Sequence, residues 1–449
     1  MSNVVAFKGK NLVRAADLGD NHMGRLVRVR DIEGPLVGLI PTTSAVIAVL
    51  IVGGSRAFFP LAPDAHVRGR PQDHQGDPVK ITADRKALAD AIAWVAHVVP
   101  RNPNTPALGG IVLRAADGHL ALSAFDYDAS RTVRMPVEVH DDGECLVLAG
   151  FLRSIVGALT TSEIGLTLDG SELTLSAGRS TYTARTLALG EYPTLPAAAT
   201  TVGTVDAALL ADAVGACIGS VDDEAPTESF RGLRIEGTAR GLDLVGLDGR
   251  MLIHRTINWD GEHFATTTPG KPIASAVTGL RGTVAVGVDE RAISLADNDR
   301  TVILRTMGHQ YANWRLVPRP SDQDRFSVVV DRDELAAAVK RASLLSRGSK
   351  DPGKVTVTYE LDHIEITATE ESAGGCEVVD AESDGREVVP VNPDYLLGAL
   401  GAMDAGPVRI GLGQRRLPRM AGLTTVRPAH DDHNDREATF AAREGGEVR

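Results

Sequence analysis

The stretch from Gly241 to Arg255 reads Gly-Leu-Asp-Leu-Val-Gly-Leu-Asp-Gly-Arg-Met-Leu-Ile-His-Arg, and it decides how the rest of the chain is laid out. Leu242, Leu244 and Leu252 alternate with smaller or polar residues around the turn former Asp248-Gly249, so the stretch predicts a strand, a tight turn and a second strand. A counterpart lies on each side. Gly110, Leu120, Leu122 and Asp126 match Gly232, Leu242, Leu244 and Asp248 at a shift of 122, and Ile364, Ile366 and Glu370 repeat the pattern at the same shift. The helices recur as well. Asp84, Leu88 and Ile92 return as Asp206, Leu210 and Val214 and as Asp331, Leu335 and Val339, each an N-capping aspartate followed by apolar residues one and two turns on. A second helix recurs as Leu152, Val156, Leu159, then Ile273, Val277, Leu280, then Leu396, Leu400, Met403. A fixed long period is the mark of stacked copies of one unit, here two helices and several short strands per copy.

Around these copies the layout is residues 1–62 as a small SH3-like β-barrel, 63–78 as a polar linker, repeats at 79–199, 200–320 and 321–428, and 429–449 as a disordered tail. The 449 residues are 43% hydrophobic, enough for several cores, and carry a net charge of -12. That balance excludes general positive charge as the way to hold a nucleic acid, so any such contact must be local. Cys145, Cys217 and Cys376 are lone thiols without metal or redox spacing, and the longest apolar run, Ala45 to Val52, is too short to span a bilayer. These features fit a cytoplasmic chain with no membrane segment and no cofactor.

The repeats resemble the bacterial sliding clamp, the β subunit of DNA polymerase III. Two stretches carry the resemblance most: Asn102 to Gly109, close to the family's Arg-Pro-Thr-Leu-Pro-Ile-Leu-Gly, and Arg179 to Pro196, where Arg185, Thr186 and a Tyr-Pro exit close the first copy. The implied fold is α+β: three tandem copies of the DNA-clamp fold, outer sheets and two inner helices each, joined head to tail into a dimeric ring, with the N-terminal barrel added. The implied function is a homodimeric processivity factor that encircles double-stranded DNA and slides on sequence-independent phosphate contacts. DNA polymerase and clamp loader would be held through short linear peptides.

The resemblance also assigns residues. Arg85, Lys86, Arg101, Arg153, Lys271, Arg332, Lys340, Arg341, Arg347 and Lys350 would face DNA. Phe230, Leu247, Asp248, Gly249, Arg250, Met251, Leu252 and Pro269 would form the partner-peptide groove, and Tyr182, Leu335, Val339, Leu344 and Leu345 the head-to-tail joint. Leu247, Arg250 and Met251 depart from the family's Thr-Asp-Gly-His-Arg-Leu, and no Met-Pro-Met-Arg-Leu ending follows Leu423 to Val426. Two rivals stand beside this reading. One is a clamp-fold decoy or accessory ring with an altered groove. The other is a metal-dependent nuclease using Asp126, Asp248 and Glu370, which would need three carboxylates from three separate repeats to converge in one pocket.

Overall fold

The computed structural model describes residues 79–316, 324–346, 355–369, 373–413, 423–428 and 436–441, and six strand segments between residues 11 and 69. Those six form one antiparallel sheet in which His66–Gly69, inside the segment read as a linker, pairs with Asn11–Arg14. The turns that would close it into a barrel lie outside the described residues.

From Val79 the repeats follow, with helices α1 (Arg85–Val95), α2 (Ala149–Ala158), α3 (Ala207–Ile218), α4 (Gly270–Val277), α5 (Arg332–Ser346) and α6 (Pro393–Gly401). Each copy opens with a strand that runs straight into its first helix. Asp84 accepts the Ala87 amide at 2.7 Å, Asp206 accepts those of Ala208 and Leu209 at 2.9 and 3.0 Å, and Asp331 accepts those of Asp333 and Glu334 at 2.9 and 3.0 Å. The helices pack in pairs, α1 on α2, α3 on α4 and α5 on α6. Their apolar stripes are the cores: Leu88, Ile92, Leu210, Val214, Leu335 and Val339 are all buried. Each such side chain stabilises its unit by about 1.5–3 kcal/mol. Leu335 and Val339 are thus core residues of their own repeat and not joint residues, because the helical period turns them inward against the sheets.

The sheets straddle the repeats. A nine-stranded sheet joins the first copy to the second where Ala129–Pro136 pairs with Arg300–Arg305, the first joint. A twelve-stranded sheet joins the second to the third where Met251–Ile257 pairs with Arg436–Ala441, the second joint. The tail read as disordered from residue 429 therefore contains a strand. Its composition is polar, but the ladder of Met251–Ile257 offers unpaired backbone groups, and their hydrogen bonding orders a segment whose side chains do not demand it. This strand occupies the same place as Arg300–Arg305, so the third copy does end with the closing strand that its sequence hides. Two of the edges left open among the described residues stand where the internal joints are paired. Ser180–Arg185 pairs only with Glu172–Ala177, and residues 374–378 pair only with His363–Thr369.

Candidate functional site

The Asp248 turn is built by its own side chain. The carboxylate accepts the Arg250 amide at 2.8 Å and the Met251 amide at 2.6 Å, and Gly249 takes φ +82°, where a Cβ would meet the Phe230 ring at 2.8 Å. The turn brings Leu247 opposite Leu252, and both lie on the sheet face away from α3 and α4, together with Val245. The chain leaving the second repeat crosses this face. Tyr311 and the edge of Trp314 pack on Val245, Leu247 and Leu252, and the Tyr311 hydroxyl donates to the Val245 carbonyl at 3.2 Å. Leu316 follows, 77% exposed. The result is an apolar strip ending at an exposed leucine, bounded by the turn. Pro269, paired with Gly232, and Phe230, packed on Gly249, stand at the same end of the sheet.

Beneath the crossing chain lies a polar lattice that the sequence did not reveal. Arg315 bridges Glu236 at 2.6 Å and Asp243 at 3.4 Å, Arg234 holds Glu236 at 2.8 Å, and Asp243 takes bonds from His254 at 2.9 Å and Thr256 at 2.7 Å. The Trp314 ring lies over His254, centroids 4.6 Å apart. Burial pushes the Glu236 and Asp243 carboxyls up, but the hydrogen bonds and positive charge around them outweigh it and hold both below the usual carboxylate range. The lattice fastens the connector to the sheet and fixes the strip's outer wall.

One groove candidate behaves differently from expectation. Met251 is 3% exposed and points to the helix side, its Cε beside Gly398 of α6, because strand alternation puts it on the face opposite Leu252. It is core, not groove wall. Arg250 is exposed and reaches across to the third repeat, donating to the Tyr395 hydroxyl of α6 at 3.1 Å.

The candidate DNA-facing residues divide into paired and unpaired. Lys271 is 3.2 Å from Asp223, Arg341 binds Glu377 at 3.0 and 2.6 Å, and Arg332 binds Asp333 and the Met403 carbonyl. Lys86 of α1, Arg153 of α2 and Lys340 of α5 are exposed with no ion-pair partner among the described residues. Arg101 is exposed in the loop after α1, Arg85 is half-buried, and Arg347 and Lys350 lie outside the described residues. The six helices together carry seven basic and five acidic side chains, against the chain's net charge of -12. Of the joint candidates, Leu344 is 62% exposed, Leu345 is half-buried, and Tyr182 is half-buried on the open strand Ser180–Arg185.

The nuclease triad does not assemble. Asp126 and Asp248 each spend their carboxylate inside their own turn, Asp126 on the amides of Asp128 and Ala129, and Glu370 lies outside the described residues. No cluster of three metal-ligating side chains occurs among the described residues, and none of their helices is long and apolar enough to cross a membrane.

Comparison with known proteins decides the family. The family model described as DNA polymerase III beta subunit, N-terminal domain, matches residues 79–196, and that for the C-terminal domain matches residues 315–420. The chain belongs to the DNA polymerase III beta subunit family. The beta sliding clamp of Streptomyces coelicolor is 28% identical over 372 residues, covering 80% of this chain and 96% of the relative. That of Synechococcus elongatus is 25% identical over 356 residues, covering 76% and 94%. The sliding clamp structure from Bacillus subtilis superimposes with a TM-score of 0.75 at 18% identity, covering 82% of this chain and all of that one. That of Pseudomonas aeruginosa bound to griselimycin gives 0.74 at 22% identity, covering 82% and 99%. Both share the fold.

Within this clamp, sequence reasoning missed the residues at the joints. Arg131 and Arg255 are buried arginines on the two strands that cross from one repeat to the next. A basic residue in an otherwise apolar inward position was the available signal.

Proposed function

We propose that two copies of this chain close head to tail into a ring around duplex DNA, slide on it, and tether the replicative polymerase as a processivity factor. The repeated joint carries this reading. Ala129–Pro136 with Arg300–Arg305, and Met251–Ile257 with Arg436–Ala441, are the same edge pairing used twice. The edges left open, residues 374–378 and Ser180–Arg185, occupy the corresponding places at the two ends of the chain. A second copy rotated head to tail satisfies both of these at once in a closed symmetry.

The balance of charge on the six helices favours a duplex inside such a ring, with Lys86, Arg153 and Lys340 as the cations free to meet phosphates. Few contacts suit the task. Topological linkage replaces affinity, and weak sequence-independent contacts leave sliding unhindered. The half-buried Leu247 and the exposed Leu316, flanking the packed cluster of Leu252, Tyr311 and Trp314, take the apolar side chains of short partner peptides. The protein acts as a tether and not as a catalyst. Of the three departures that motivated the decoy reading, Met251 falls in the core, while Leu247 and Arg250 stay at the strip.

The deciding experiment loads the protein on nicked circular DNA and then linearises the circle. A dimer retained on circles and released after linearisation supports the ring. A monomer, or retention indifferent to the cut, overturns it.

A further inference from the structure

Comparison of the joints assigns a role to Arg85 that differs from DNA contact. We infer that Arg85 pairs with Glu377 of the partner subunit across the closed ring, an inference that rests on the head-to-tail reading above.

The second joint shows what that place in the fold can hold; at the first joint Val133 and Ala207 stand there instead. Arg255, on the strand arriving from the second repeat, donates to the Ala402 carbonyl at 3.1 Å, and Arg332, the first residue of α5, donates to the next carbonyl, Met403, at 2.7 Å. Two arginines from adjoining repeats thus meet at the C-terminal end of α6, where the helix presents unpaired carbonyls. Their counterparts at the open ends follow from the repeat. Arg85 stands where Arg332 does, directly after the capping aspartate, and the two backbone amides bind equivalent carbonyls, Ser162 and Gly406. Glu377 stands where Arg255 does: Arg255 lies opposite Leu244 and Glu377 opposite Ile366, and those two partners are 122 residues apart in the same place of the repeat.

At the third joint, therefore, one of the two arginines has become a glutamate. The other keeps its place but lacks its partners: the Arg85 Nε is buried without a hydrogen-bond partner among the described residues. Glu377 is held by Arg341, at 2.6 Å, and its side chain is 30% exposed. It retains acceptor capacity for a second guanidinium, since a carboxylate offers about four lone-pair sites. Leu344 and Val378, both more than half exposed, add apolar surface at the same open end that a second copy would cover. The pair gives closure a polarity, because Arg85 on one edge meets an acceptor only on the other.

The test measures the dimer dissociation constant of the full chain by sedimentation for Arg85→Glu, Glu377→Arg and the double reversal. Each single reversal should raise the constant at least about tenfold, and the double should return it to within about threefold of the unaltered protein. Arg85→Gln and Glu377→Gln, smaller changes checked by circular dichroism, give the same ordering if a reversal fails to fold. A dimer of unchanged constant in Arg85→Glu and Arg85→Gln overturns the pairing while leaving the ring intact. So does a reduced salt slope for DNA retention with no change in dimerisation, which returns Arg85 to the DNA channel. An unaltered protein that is monomeric overturns both the ring and the pair.

Discussion

The two internal joints solve the same problem with different chemistry. At the first, Arg131 is 3% exposed and donates to the Trp94 carbonyl at 2.9 Å and to the Ser275 carbonyl and hydroxyl at 2.5 and 2.7 Å. Trp94 lies between two cations, with the guanidinium carbons of Arg131 and Arg300 at 4.9 and 5.1 Å from its ring, and donates its own indole N–H to Thr278 at 2.9 Å. Arg131 has no carboxylate partner among the described residues. Burial and then repulsion from Arg300 bring its pKa down to about 10. The carbonyl ends of α1 and α4 and the indole face replace a counter-ion. At the second joint, Arg255 is equally buried but reaches Asp212, a carboxylate 54% exposed, at 2.6 Å. A cation balanced by fixed dipoles belongs to one packed body. A cation balanced by an open carboxylate leaves its joint more accessible to water.

The largest expected effect comes from removing the strand that makes the second joint. A chain ending at residue 428 leaves the Met251–Ile257 ladder unpaired, and the third repeat should unfold early in calorimetry, with about 4 kcal/mol lost. The first joint, whose two strands are both internal to the chain, should be untouched in that truncation. Next, Arg131→Met should cost about 3 kcal/mol in urea unfolding and Arg255→Met about 2 kcal/mol, because Asp212 can be rehydrated while the carbonyls around Arg131 cannot. Equal losses would erase the distinction between the joints.

A smaller effect, of opposite sign, lies in the turns beside each joint. Tyr127 at φ +77° occupies the place of Gly249 at φ +82°, in a turn capped by Asp126 as the other is by Asp248. Tyr127→Gly should raise stability by about 1 kcal/mol, since the left-handed region costs a tyrosine roughly that much. The smallest effect is in pH. The Glu236 and Asp243 carboxyls are held below their usual values, so their stabilisation is present above about pH 4 and is lost as pH falls through that range. Melting temperature should fall less steeply between pH 5 and pH 3, to a first approximation about half as steeply, in Arg315→Gln than in the unaltered protein.

Legibility in the sequence followed the range of the forces involved. The capping aspartates Asp84, Asp206 and Asp331, the apolar stripes of the helices and the Asp248-Gly249 turn were all readable, because each is satisfied within a few residues of chain. The groove turn and Leu252, which the resemblance assigned to the partner groove, lie on the sheet face away from α3 and α4. The resemblance also put Met251 in the groove and Leu335 and Val339 in the joint, where the strand and helix periods assign them to cores. The crossing of Tyr311, Trp314 and Arg315 over Asp243 and Glu236 joins residues some 70 positions apart, and no local pattern announces it.

By itself, then, the sequence determined a threefold repeat, its helices and its turns, because propensity, capping and periodicity act over one or two turns of chain. Only the tertiary structure decided that Arg436–Ala441 is a strand and that Arg131 and Arg255 are buried at the joints. A strand is defined by the edge that receives it, and a buried charge by the dipoles and carboxylates that surround it. Both are supplied by residues distant in the chain.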